Sequence, residues 1–128
     1  PAGPHGSSFS PLLKLNYSTT DFTQESSQAY ALCYSCHDRN SILGDQSFRK
    51  HKKHIESKDT PCSVCHDPHG ISSATGATYN NTHLINFDLS VVFPDPNTGK
   101  LEFVDTLGVG RGECYLQCHG KKHSPKRY

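Results

Sequence analysis

The chain has 128 residues, of which 33% are hydrophobic, and 13 Lys and Arg against 12 Asp and Glu give a formal charge of +1. That length sets a single domain, and so polar a polypeptide is short of the apolar surface a conventional core needs. No stretch approaches the roughly 18 apolar residues of a membrane span, and the basic residues are not interleaved with stacking aromatics as a nucleic-acid surface requires.

In chain order, the first 22 residues read as extended, with Pro1, Pro4 and Pro11 among Ser and Gly. Thr20 or Thr23 is predicted to cap a helix running through Ala29 and Tyr30 into Cys33 and His37. Asp45 is predicted to cap a second helix carrying Phe48, His51, His54 and Ile55. Residues 70–82 read as loop. Residues 91–93 and 101–104 flank a Pro-Asp-Pro-Asn-Thr-Gly turn and predict a β-hairpin, expected to act as a small cover. Gly108 and Gly110 stand too isolated for a nucleotide loop. The closing run from Lys121 to Arg127 reads as a solvated basic tail. The expected fold is mostly irregular, with small α elements and one short β-hairpin.

All six cysteines fall in three units in which the second cysteine is followed by histidine: Cys33, Cys36 and His37; Cys62, Cys65 and His66; and the wider Cys114, Cys118 and His119. C-x-x-C-H is the pattern of covalent c-type haem attachment. Both thiols add across the haem vinyl groups and the adjacent imidazole binds iron, so all three must reach one porphyrin from a single helical turn. A zinc ribbon would use four cysteines at comparable spacing but does not require the trailing histidines. A disulfide scaffold does not cluster its cysteines as adjacent pairs, and a thioredoxin-like site lacks its βαβ context. Three haems c as cofactors would also make good the shortage of apolar core. Their six propionates would move the net charge to about −5, which gives the lysines a purpose.

His37, His66 and His119 are the expected proximal iron ligands. Methionine, the usual high-potential partner, is absent from the chain. The remaining histidines are therefore the distal candidates, and bis-histidine, low-potential, low-spin iron is expected. His51 and His54 lie one helical turn apart and can serve two different irons. His54, just ahead of Cys62, is expected to cap the haem held there, and His51 another. His5 is preferred for the third, with His69 and His83 as alternatives and His123, in the basic run, behind them.

The segment Gly3-Pro4-His5-Gly6-Ser7 is repeated as Asp67-Pro68-His69-Gly70 directly after His66, which suggests a further attachment unit upstream of Pro1. No signal-peptide pattern opens the chain. A processed chain, or the C-terminal part of a longer multihaem protein, is the expectation.

Through these residues, together with His83-Leu84-Ile85 and Cys118-His119-Gly120, the chain resembles the multihaem c-type cytochromes of the doubled C-x-x-C-H class. The run from His51 to His54 ahead of Cys62 is similar to low-potential triheme and tetraheme cytochromes. The resemblance implies a haem-cored fold, one triheme domain over residues 1–128, and extracytoplasmic respiration in the periplasm, at the cell surface or outside the cell of a bacterium or archaeon. Some relatives form filaments with haem-to-haem contacts, so a homopolymer is one assembly it allows. The expected function is one-electron relay to other redox proteins or an extracellular acceptor, not catalysis. The alternatives are a multihaem reductase with an open haem position and a zinc-binding structural module.

Overall fold

The computed structural model describes residues 6–10, 12–70, 82–105, 108 and 110–128. Its helices are short. Helix α1 spans Ala31–Tyr34, α2 Arg39–Leu43 and α3 His51–Ile55, and 3-10 turns cover Cys62–Val64 and Thr82–Leu84. Each is near the length of its own nucleus, so tertiary contacts rather than propensity hold it.

The caps explain the starts. Neither Thr20 nor Thr23 caps α1: the Thr23 hydroxyl donates back to the Thr20 carbonyl, and Ser26 Oγ accepts from the Ala29 N–H at 3.0 Å. The helix is accordingly shorter than predicted. Helix α2, which the sequence reading missed, is capped by Asp38, whose carboxylate accepts from the Asn40 N–H. Asp45 does serve α3, accepting from the Lys52 N–H at 2.8 Å, although the helix begins only at His51.

The larger departure is an antiparallel sheet of four strands: β1 Val92–Phe93, β2 Glu102–Val104, β3 Glu113–Cys118 and β4 Lys121–Arg127. The predicted hairpin between the first two does not form. Both lie instead on β3, β1 against Gln117 and Cys118 and β2 against Glu113 to Tyr115. They share one edge of β3, and β4 takes the other along almost its whole length. The hairpin that does form is β3–β4. Its two-residue loop is His119-Gly120, both at positive φ (45° and 72°), the turn whose twist matches the strands it joins. The basic run is thus a paired strand rather than a tail. Its Lys121, Lys122, Lys126 and Arg127 keep that sheet edge charged and exposed.

Two small apolar clusters make the core. One holds Ala29, Tyr30 and Ile55, with Cys33, Tyr34, Ile42, Leu43 and Cys62 packed on it. The other holds Val64, Val92 and Leu116, with Cys65, Phe87, Cys114 and Cys118 among its neighbours. Cys36 is exposed, and the other five cysteines border one cluster or the other. No described helix is long and apolar enough to cross a membrane.

Candidate functional site

The first two units have the same backbone. In each, the N–H of the second cysteine donates to the carbonyl of the first at 3.2 Å, and the histidine N–H donates to that carbonyl at 2.9 Å. One helical turn therefore carries Cys33, Cys36 and His37, and another carries Cys62, Cys65 and His66. Side chains three and four apart on such a turn have Cβ atoms about 5–6 Å from one another. Such spacing is what attaching two thiols and one imidazole to a single macrocycle asks of the backbone.

The two turns lie side by side. Cys33 and Cys62 border the same cluster, and their thiols interact, the hydrogen bond from Cys62 lowering Cys33 to about 7 and raising Cys62. A lowered thiol is the more nucleophilic of such a pair. Burial pushes the Cys65 and Cys114 thiols up to about 12. A cavity of about 290 Å³ opens beside the second turn, lined by Tyr17, Ser63, His66, Asp67, Asn86 and Phe87 among others. Ser63 Oγ is buried there without a hydrogen-bond partner, a polar atom left over by the protein alone.

His66 is held by its main-chain neighbours. The segment after Thr82 runs back along the second unit: the Asp67 N–H donates to the Leu84 carbonyl, Asn86 N–H to Cys65, and Asp88 N–H to Val64. His83 and Leu84 both adopt φ 57°. This conformation is costly for residues with a Cβ, and it accompanies a bond from the His66 Nδ1–H to the His83 carbonyl at 2.7 Å. A carbonyl only accepts, so Nδ1 carries the proton and Nε2 of the neutral ring keeps its lone pair.

Helix α3 brings His51 to this ring: the His51 and His66 centroids are 6.2 Å apart, with planes at 49°. His51 Nδ1 is engaged with the Ser47 hydroxyl at 3.2 Å. Burial, reinforced by nearby His66, pushes His51 down to about 4, and burial also lowers His66 and His54. All three are then neutral near pH 7, the form that ligates metal. His54 instead stacks on Phe48 at 6.4 Å and meets Tyr128 edge-on at 6.1 Å.

The other candidates are placed differently. His83 Nε2 faces Asp105 at 3.0 Å, so this residue supports His66 through its carbonyl. The His69 side chain is 93% exposed beside Asp67. His123 is not solvated as its place in the sequence suggested; it is half-buried, bonded to the Tyr128 hydroxyl at 2.8 Å and lowered by burial to about 4. His37 is exposed. His5 lies outside the described residues, as do residues 71–81 of the predicted loop. Ser47, Phe48, Tyr128 and the His83 carbonyl all position imidazoles. Only Phe48 carried a sequence signal, being three residues before His51.

The third unit is built on another plan. Cys114 and Cys118 lie along β3, both packed near Leu116 in the second cluster. Four residues of extended strand separate their Cα atoms by about 13 Å. Both edges of β3 are paired, and His119 sits in the turn with Nε2 bonded to Asp21 at 2.8 Å and its ring stacked on Phe22 at 4.6 Å. As folded, this unit does not offer two thiols and an imidazole to one ring; β3 would have to give up its pairing first.

Among the described residues, no group of three or more Cys, His, Asp or Glu converges to hold a metal ion alone. A haem asks less of the chain, since the macrocycle supplies ring nitrogens and the protein only axial ligands. No family model matches the chain, and neither the curated proteins nor the solved structures searched contain a match.

Proposed function

We propose that the chain is an electron-transfer protein carrying covalent c-type haems, relaying single electrons from ring to ring and on to a redox partner outside the cytoplasm. The observation that carries this reading is the pair of adjacent Cys-x-x-Cys-His turns with identical backbone hydrogen bonding. When bound, haem iron supplies reversible one-electron oxidation and reduction. The chain does the rest. Cys33, Cys36, Cys62 and Cys65 would anchor two rings, and His37 and His66 would supply the proximal nitrogens. The His83 carbonyl fixes the His66 tautomer. Cys33 and Cys62 pack on the same apolar cluster, and nearness of the two turns supports a short relay. The third unit enters this reading only through an opened β3.

Production in a host with a haem-attachment apparatus tests the proposal. A red protein with a sharp reduced α-band, wholly low-spin ferric spectra and reversible one-electron titration at low potential is expected. A colourless protein that instead retains zinc would overturn it. A native haem that is high-spin and binds carbon monoxide would favour a reductase.

A further inference from the structure

We infer that the outer edge of β4 is a docking strand for a partner protein, taking an extended acidic segment of that partner as one further strand of the sheet. The inference goes beyond the function proposed above and stands on the sheet rather than on haem. β4 pairs with β3 along one edge, and among the described residues no strand pairs with its other edge. An antiparallel strand turns the backbone N–H and C=O of alternate residues away from its partner. An edge left in that state is a template for one more strand.

The charge around this edge selects the occupant. Lys121, Lys122 and Lys126 of β4 are exposed, and so is Lys53 of α3. Tyr128 joins the two elements, with its ring centroid 6.1 Å from those of both His54 and His123. Lys121, His123 and Lys126 stand opposite Cys118, Leu116 and Cys114, alternate residues of β3, and so share one face of the sheet. The charges of Lys53, Lys121 and Lys126 all bear on His123. The chain has 12 Asp and Glu for its 13 Lys and Arg, so anions are not scarce. Arg39, Lys52, Lys100 and Arg127 each have a carboxylate partner. Among the described residues, Lys53, Lys121, Lys122 and Lys126 have none. Four uncompensated cations from two elements therefore border one open strand.

The same charge excludes a second copy, since β4 laid on β4 would set like charges opposite one another. A polyanion or an anionic lipid surface answers the charge but leaves the backbone edge unused. An extended polypeptide answers both, and acidic residues at alternate positions would meet the face that Lys121 and Lys126 share.

The test titrates the full chain, matured with haem, with a short synthetic peptide alternating Glu and Thr. Saturable binding that weakens as salt rises is expected. The double variant Lys121→Glu with Lys126→Glu should weaken it by about tenfold, while Lys14→Glu, on the N-terminal segment, leaves it unchanged. Two further peptides, N-methylated on the odd or on the even amides, separate strand pairing from charge alone: only one of them should lose binding. The same response to both overturns the inference. So does the absence of saturable peptide binding at low salt, or capture by inorganic polyphosphate or phosphatidylglycerol vesicles in place of the peptide. A chain that binds the peptide but carries no covalent haem overturns the function proposed above and leaves the docking strand standing.

Discussion

Cys62 and Cys65 are three residues apart and sit on one tight turn, whereas Cys114 and Cys118 are four apart and lie along one strand. The single added residue changes what the backbone permits. In a strand, side chains alternate between faces, so an odd spacing of three would send two thiols to opposite sides of the sheet. A spacing of four keeps both on one face, with Leu116 between them and Val64 and Val92 beneath. The intervening residues agree: Ser63 and Val64 form a 3-10 turn, while Tyr115, Leu116 and Gln117 lie in the strand. Gly120 then supplies the positive φ that folds β4 back. Two of the cysteine-histidine units are therefore tight turns, and the wider third is a paired strand.

Three changes break or sharpen that contrast, from the largest effect to the smallest. Tyr30 is fully buried beneath the first unit and donates its hydroxyl to the Thr23 carbonyl. Tyr30→Ala should cost about 3–5 kcal/mol, as large aromatic deletions do, seen as a lower urea midpoint of the haem-free chain and poorer loading of the first unit. Gly112 precedes β3, and a Cβ there would lie 2.4 Å from the Phe103 ring. Gly112→Ala should therefore destabilise the sheet by about 1–3 kcal/mol through overpacking. It should weaken strand signal in circular dichroism without disturbing the first two turns.

The smallest effect is a pH dependence. Hydrogen bonds from the Arg39 guanidinium, which brackets α1 and α2, hold the Glu25 carboxyl below its ordinary 4.5. A carboxylate lowered in the folded state contributes stability that is complete above the unfolded value and is lost as pH falls through the folded one. The urea midpoint should thus decline below about pH 4.5, and Glu25→Gln should remove that part of the slope. An unchanged slope would place the acid sensitivity elsewhere.

Local features were legible in the sequence. The two Cys-x-x-Cys-His turns close their hydrogen bonds within five residues, and the Asp45 contact with α3 reaches just seven residues. Nonlocal pairing was not legible. Residues 91–93 and 101–104 have strand composition and a turn between them, yet their partner is β3, about ten residues beyond the second, and the pattern of one segment does not name its partner. Lys121–Arg127 is charged, exposed and interrupted by Pro125, which reads as a tail; only its place at a sheet edge makes that composition fit a strand. His51 and His54 were both visible as ligand candidates. Which of them meets His66 depends on how α3 docks, and that docking is set by Ile55, Phe48 and Tyr128 rather than by spacing along the chain.

Intact mass under denaturing conditions, on the chain matured with haem, tests the central claim most directly. The account predicts covalent haem increments, one abolished by replacing Cys33 and Cys36 with Ala and one by replacing Cys62 and Cys65. Any third increment should trace to Cys114 and Cys118 and bring loss of the β3 strand signal. A mass equal to that of the bare polypeptide, or increments that persist when both turns lose their cysteines, would contradict it.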